Sequence, residues 1–127
     1  MASSALGRSY EDGETIIQQG EAGDCLYVIQ EGQVDVFHEE DGKEVRLTTL
    51  NEKEFFGEVP LFERARNPGV VRASVRAVGS ARVLTVDKKT ILKRINQDPS
   101  LAYRILETMS RRIRQLEEDM VRLIIGD

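Results

Sequence analysis

Side chains that could bind a metal or act as a nucleophile are scarce in this sequence, which has one histidine, His38, and one cysteine, Cys25, in 127 residues. Zinc sites and two-histidine iron sites need several imidazole or thiolate ligands, so these counts exclude most metalloenzymes. His38 precedes the acidic segment 39–42, which predicts an exposed turn and not part of a Ser-His-Asp triad. Walker-type phosphate loops and GxGxxG fingerprints do not occur in the sequence. We therefore predict that the protein is not an enzyme and has no catalytic residues, metal site or cofactor.

Arginine is the other residue type with distinctive chemistry, and five arginines occur between positions 64 and 86 without one aspartate or glutamate. They are Arg64, Arg66, Arg72, Arg76 and Arg82. The guanidinium group is planar and permanently charged, which suits it to phosphate, so this segment predicts an anion site. The alternative is a basic face that pairs with the acidic first half. Residues 1–60 have 14 acids and 4 bases, whereas residues 61–127 have 8 acids and 14 bases.

Nucleic acid is a poor candidate for that anion, because the net charge of the chain is −4. The aromatic residues, 3 tyrosines and 4 phenylalanines, are not interleaved with the arginines. Proteins that follow a nucleic acid backbone are usually basic. We expect no direct binding of nucleic acid by this chain.

Short β-type segments alternate with turn residues over the first two thirds of the chain. The predicted strands are 15–17, 25–29, 34–37, 45–50, 70–78 and 81–86. Turns rich in Asp-Gly and Gly separate the first of them at intervals of about nine to twelve residues, which is typical of an antiparallel sandwich or barrel. We predict a single domain over residues 1–127, with a barrel at about 10–87 and helices at about 88–125.

Helical periodicity begins after Asp87, which is predicted to cap a short helix over residues 88–97. Asp98-Pro99 then predicts the start of a second, long helix that ends at Gly126. Apolar residues spaced alternately four and three apart form a heptad seam along it: Ala102, Leu106, Met109, Ile113, Leu116, Met120 and Leu123. Such a seam favours pairing with the same helix of a second copy in a homodimer. The alternative is a helix that packs only on its own barrel.

The order of these elements, together with several short motifs, resembles the cyclic nucleotide-binding domain of the catabolite-activator/FNR superfamily and of cyclic-AMP-dependent kinase regulatory subunits. The motifs are Asp12–Ile17, Gly20–Asp24, Leu26–Ile29 with the following Gly32, Phe56–Glu58, and Arg72–Ala77. The resemblance runs from about Tyr10 to the C-terminus. It implies a mainly β fold with C-terminal helices: a double-stranded β-helix (jelly-roll) barrel, a short helix and a long dimerisation helix.

The resemblance also implies a ligand, cyclic AMP or another cyclic nucleotide, held by a phosphate-binding cassette. In that family a short helix follows the Phe-Gly-Glu triplet and turns its N-terminal N–H groups toward the cyclic phosphate. By this resemblance Gly57 allows close backbone approach, Glu58 accepts the ribose 2′-hydroxyl, and Val59 lines the pocket. The remaining ligand contacts are predicted at Arg72, Ala73 and Arg66.

Two residues depart from the family pattern at the phosphate. Pro60 occupies a position where relatives usually have a small residue with a free N–H, so one donor is lost. Aligning the strand on Ala73 puts Val71 where the family has its phosphate arginine, and Arg72 follows one residue late. Because alternate strand residues face opposite sides, Arg72 points away from the site unless a bulge redirects it. Arg64 and Arg66, in a longer loop, are the alternatives.

These observations predict a cytoplasmic sensor: the lone cysteine closes no disulfide within the chain, and neither a signal peptide nor a membrane span is visible. Nothing follows Asp127, so we expect no DNA-binding domain and an effector protein of unknown identity. The helix that usually precedes the barrel is expected to be truncated to residues 1–9. The alternative function is a degenerate barrel that no longer binds nucleotide and serves as a dimerisation or docking unit.

Overall fold

Six antiparallel strands form the first part of the structure, a computed structural model that describes residues 7–63 and 70–126. The strands are β1 (Arg8–Tyr10), β2 (Thr15–Ile17), β3 (Cys25–Glu40), β4 (Lys43–Leu50), β5 (Phe55–Phe56) and β6 (Ser74–Asp87). Their order is β1-β6-β3-β4, with β2 also paired to β6 and β5 also paired to β3. A five-residue helix, α1 (Glu58–Phe62), follows β5.

Strand β3 joins two segments that were predicted as separate strands, 25–29 and 34–37. Gly32 lies between them with a φ of 86°, and a Cβ there would overlap the carbonyl oxygen of Ser80. The register with β6 shifts twice around Glu31, so the strand bends at this glycine without ending. Strand β6 is likewise continuous across Gly79, at a φ of 67°, where a turn between two strands was predicted.

Of the truncated helix expected at residues 1–9, residues 1–6 lie outside the described part of the chain, whereas Arg8 and Ser9 belong to a strand. Arg8–Tyr10 is a strand whose residues pair with Ala81–Val83 of β6, and Tyr10 is buried. Three residues can hydrogen-bond to an existing strand edge, whereas so short a segment makes an unstable isolated helix. Strand 70–78 is also shorter than predicted, because β6 begins at Ser74 and Val70 forms only an isolated bridge with Ala22.

One apolar cluster fills the strand unit. Its members come from β1, β2, β3, β4, β5 and β6 and from the segment before β6: Tyr10, Ile17, Ile29, Val34, Leu50, Phe56, Val71, Val75, Ala77, Ala81 and Val83. Burial of such side chains is the main favourable term in folding. The predicted mainly β fold with C-terminal helices is confirmed.

Two helices complete the chain, α2 (Lys88–Gln97) and α3 (Ser100–Ile125). By its internal contacts the chain divides into two compact units, Met1–Lys88 and Lys89–Asp127. The bounds of α2 are those predicted. Gly126, at a φ of 82°, caps α3 through an N–H that donates to the carbonyl oxygen of Arg122. Neither helix in these described residues has the long apolar stretch that crossing a bilayer requires.

Asp98 and Pro99 separate the two helices, as predicted, but Pro99 is the N-cap and not the first residue of α3. Asp98 Oδ1 accepts hydrogen bonds from the Ser100 hydroxyl, at 2.6 Å, and from the Ser100 N–H, at 3.2 Å. Both bonds favour the carboxylate, and the side-chain bond from Ser100 is the larger cause of a lowered pKa for Asp98.

Replacing Asp98 by alanine is therefore expected to lower the melting temperature at neutral pH. Because the folded-state pKa lies below the unfolded one, this stabilisation is complete above the unfolded pKa and is lost as the pH falls through the folded pKa. Thermal melts followed by circular dichroism from neutral to acidic pH test this. Asp98→Asn keeps the acceptor oxygen without the charge, and a melting temperature for Asn as low as that for Ala would contradict a hydrogen-bonding role.

Candidate functional site

Gly57 connects β5 to α1 in a conformation that requires glycine, with φ 91° and ψ 3°. A Cβ at this position would lie 2.9 Å from the carbonyl oxygen of Cys25 and 2.9 Å from Cδ1 of Tyr27. Tyr27 in turn stacks on Phe56, with ring centroids 5.1 Å apart and planes 5° from parallel. The chain thus approaches β3 closely at Gly57 and then turns into α1.

Glu58 is the first residue of α1, and its side chain is buried, with 7% of the residue exposed. Its Oε1 atom is shielded from solvent. A carboxylate is rarely buried in a protein without a reason in structure or function. Val59, the neighbouring residue, is 52% exposed, and its place in the pocket wall, which the resemblance implies, stays a prediction.

Pro60 packs tightly against Gly23 in the turn between β2 and β3. A Cβ added to Gly23 would overlap the ring of Pro60 and would lie 3.5 Å from Cγ2 of Val71. Val71 is buried and belongs to the main apolar cluster. Pro60 and Val71, the two departures from the family pattern, therefore both lie beside Gly23, and we call this apolar arrangement the Gly23 contact.

Arg72 is exposed, whereas the preceding Val71 is buried. The segment is held by its neighbour: the Val71 N–H donates to Glu21 O at 2.8 Å, and the Gly20 N–H donates to Val71 O at 2.9 Å. That Arg72 points away from the site, as the one-residue offset indicates, stays a prediction. Ala73 follows and is half-buried. Arg64 and Arg66 lie outside the described residues.

Arg76 pairs with the acidic half of the chain, as the alternative interpretation of the arginines required. Its guanidinium lies 3.1 Å from Glu44 Oε1 and 4.2 Å from the centre of the Phe37 ring. Within the sheet, the Arg76 charge is therefore paired with a carboxylate and packed on an aromatic ring.

The sequence missed the roles of Gly23 and His38. His38 was predicted in an exposed turn, but it lies within β3, and the turn consists of Asp41 and Gly42, both at positive φ. Its Nδ1 is 3.0 Å from the Arg72 carbonyl oxygen. A run of glutamates after a histidine looks like a loop because no local signal marks a partner 34 residues away.

Among residues 7–63 and 70–126 there is no group of three or more His, Cys, Asp or Glu placed to hold a metal ion. Burial, followed by the hydrogen bond and charge of Asp24, raises the pKa of the Cys25 thiol to about 11. A thiol with that pKa is protonated at neutral pH and is a poor nucleophile.

The heptad seam of α3 is exposed within the single chain. Five of its residues are between 55% and 82% exposed: Leu106, Ile113, Leu116, Met120 and Leu123. Met109 is half-buried. A long helix with such an apolar stripe is stabilised by burying it against another surface.

Comparison with known proteins matches residues 7–98 to the family described as cyclic nucleotide-binding domain. The chain is 34% identical over 119 residues to the cAMP-activated global transcriptional regulator CRP of Salmonella typhimurium, covering 93% of this chain and 55% of that protein. It is 29% identical over 116 residues to a CRP-like cAMP-activated global transcriptional regulator of Mycobacterium tuberculosis, covering 91% of this chain and 50% of that protein. The chain thus spans about half the length of these curated relatives.

Solved structures give the same result for the fold. The catabolite activator protein of Thermus thermophilus superposes with a TM-score of 0.79 at 30% identity, covering 96% of this chain and 56% of that one. The EAL enzyme Bd1971 in its cAMP-bound form gives a TM-score of 0.64 at 29% identity, covering 88% of this chain and 29% of that one. The jelly-roll architecture implied by the sequence is confirmed by the first of these likenesses.

Proposed function

Because the chain belongs to the cyclic nucleotide-binding domain family, we propose that it is a sensor module that binds a cyclic nucleotide, with cyclic AMP as the first candidate. The observation that carries this proposal is the buried carboxylate of Glu58 directly after Gly57, at the start of α1. The family pattern puts the ribose 2′-hydroxyl at this carboxylate. A hydroxyl that donates to a buried carboxylate offsets part of the free energy of burying the charge.

The choice of ligand follows the relatives. Those from Salmonella and Mycobacterium are named as cAMP-activated, and Bd1971 has structures with cAMP and with cGMP bound. We extend this ligand class to the present chain as a proposal. The function needs neither a catalytic residue nor a metal, and we propose a cytoplasmic location.

The phosphate is held differently here from the family pattern. The Gly23 contact fills the region of the missing arginine with Val71 and Pro60, and Pro60 has no N–H to donate. We propose that one of Arg72, Arg66 and Arg64 contacts the phosphate. Gly57 allows close backbone approach, the Glu58 carboxylate accepts the ribose 2′-hydroxyl, and Val59 lines the pocket. Ala73 completes the proposed ligand contacts.

A second function is favoured by the same Gly23 contact. An apolar cluster in place of a phosphate arginine is what a barrel that has lost its ligand would retain. In that case the chain is a dimerisation or protein-interaction module. The two functions differ in whether a cyclic nucleotide stabilises the fold.

Output from the sensor is proposed to pass through α3. Its exposed seam has the heptad spacing of a coiled coil, so we propose a homodimer formed through this helix. A nucleotide can shift the packing of the helices only if it binds one arrangement more tightly than the other. An effector protein would then read the arrangement of the dimer.

A thermal-shift titration with cyclic AMP, cyclic GMP and cyclic di-GMP separates the two functions. A ligand at 100 times its Kd stabilises by about 2.7 kcal/mol, which raises the melting temperature of a domain of this size by several degrees. We expect a rise with one nucleotide that is lost in Glu58→Gln and kept in Glu31→Gln, an exposed glutamate of β3 that serves as the matched control. A melting temperature unmoved by all three nucleotides would favour the interaction module.

A further inference from the structure

His38 is the one histidine of the chain, and both of its ring nitrogens contact acceptors. Nδ1 lies 3.0 Å from the carbonyl oxygen of Arg72, and Nε2 lies 3.1 Å from Oε1 of Glu40. A carbonyl and a carboxylate can only accept, so both bonds form together only when both nitrogens carry a proton. The geometry is therefore that of the imidazolium. We call His38 with these two acceptors the His38 clip.

The strand end that carries the clip is fixed in place. The Gln19 side chain pairs with the backbone of Glu39 like a neighbouring strand, donating to its carbonyl at 3.0 Å and accepting from its N–H at 2.9 Å. The Gln19 N–H donates to the hydroxyl of the fully buried Ser74 at 2.9 Å. His38 thus projects from a strand that is tied to β6 through Gln19, and not from a free loop.

The clip is connected to the candidate nucleotide site by short steps. It holds the carbonyl of Arg72, and the preceding residue, Val71, is bonded on both backbone groups to the turn at Gly20 and Glu21. Val71 and Pro60 meet at Gly23 in that turn. Pro60 belongs to α1, which begins with Glu58.

We propose that His38 is a positioning residue, whose imidazolium clips the segment before β6 onto β3 and so holds the Gly23 contact and α1 in the arrangement that binds nucleotide. The effect on nucleotide affinity rests on the proposed function, whereas the clip itself does not. At higher pH the neutral imidazole keeps one proton, so one of the two bonds is lost and the segment is held less firmly.

The carboxylates near His38 favour its charged form, whereas the positive charges of the nearby arginines oppose it. Its own strand contributes Glu39 and Glu40, and the clipped segment contributes Arg72. On β4 its partner Val45 is flanked by Glu44 and Arg46, of which Glu44 is paired with Arg76. The bond to the Arg72 carbonyl, then the bond to Glu40, raises the pKa of His38.

The raised pKa of His38 sets how the stability contributed by the clip depends on pH. With the folded-state pKa above the unfolded one, the stabilisation is complete below the unfolded pKa and is lost as the pH rises through the folded pKa. Nucleotide binding is expected to weaken over the same interval, by about threefold for a solvent-exposed clip of this kind.

Nuclear magnetic resonance of the full chain tests the clip without any nucleotide. The ring signals of His38 need no assignment, because no other histidine exists, and the amide nitrogen of Ala73 reports hydrogen bonding at the preceding Arg72 carbonyl. We expect the His38 ring and the Ala73 amide to titrate with the same midpoint pH. This midpoint pH should be lower in Glu40→Gln. It should fall less in Glu39→Gln, the matched control, because the Glu39 side chain contacts Gln18 instead. An Ala73 signal that does not move as the ring titrates would overturn the proposal.

Affinity for cyclic AMP, measured across the same pH range, tests the coupling. The wild-type Kd is expected to rise about threefold through the midpoint of His38, and the Kd of His38→Gln is expected to lack this rise. If no nucleotide binds but the Ala73 amide signal still titrates with the His38 ring, the proposed function is wrong and the His38 clip is retained. A wild-type Kd that stays constant while Ala73 follows His38 would overturn the coupling to the site.

Discussion

Replacing Gly57 by alanine is expected to lower the free energy of unfolding by about 3 kcal/mol. The left-handed backbone at φ 91° costs an L-residue about 1–2 kcal/mol. The added methyl also meets the Cys25 carbonyl and the Tyr27 ring, both at 2.9 Å, and overpacking of this kind typically costs about 1–3 kcal/mol. Cys25 O is part of the β3 backbone, and Tyr27 of β3 pairs with Phe56 of β5. Neither β3 nor β5 can therefore move aside without disturbing this pairing.

Urea unfolding followed by circular dichroism measures this loss, and Gly42→Ala is the control. Gly42 also has a positive φ, 77°, but a Cβ there would have nothing within 4 Å. It therefore reports the backbone strain alone, about 1 kcal/mol. Equal losses in the two variants would show that the close approach at Gly57 does not constrain the site.

Replacing Leu116 by lysine is expected to weaken the proposed homodimer at least about 100-fold. Leu116 is 64% exposed in the single chain and lies in the middle of the seam. In a two-stranded coiled coil it would contact the partner helix, and two lysines would then be buried opposite each other without a counter-charge. A change of about 3 kcal/mol corresponds to this factor.

Sedimentation equilibrium over a range of concentrations gives the dimer Kd. Glu118→Lys introduces the same side chain two residues away, on a face outside the seam, and it should leave the dimer intact. A wild-type chain that is monomeric at high micromolar concentration would contradict the homodimer. Equal weakening by both lysines would place the interface elsewhere on α3.

Helices were predictable from sequence because their signals are local. The bounds of α2 and the end of α3 at Gly126 follow from periodicity, capping residues and glycine. Strand continuity was not predictable in this way. Gly32 and Gly79 have the sequence signature of hairpin turns, but β3 and β6 pair across them through bulges, and that pairing is set by residues far apart in the chain.

The candidate site shows a similar division. Gly57 and Glu58 were identified through the Phe-Gly-Glu triplet, and the exposure of Arg72 beside the buried Val71 agrees with the alternation of an extended segment. Pro60 and Val71 both lie beside Gly23, and His38 lies within hydrogen-bond distance of the Arg72 carbonyl. Both arrangements depend on segments that are distant in the sequence but close in the fold. Sequence periodicity does not predict such long-range contacts. Residues 64–69, which include Arg64 and Arg66, are outside the described structure.

Isothermal titration calorimetry of cyclic AMP into the wild-type protein and into Glu58→Gln tests the central claim most directly. We predict a saturable heat with one nucleotide per chain for the wild type. Since hydrogen bonds to charged groups contribute about 1.5–3 kcal/mol, we predict binding at least about tenfold weaker for Glu58→Gln. Absence of heat with the wild type at millimolar cyclic AMP, or equal affinity of the two proteins, would contradict a nucleotide site at Glu58.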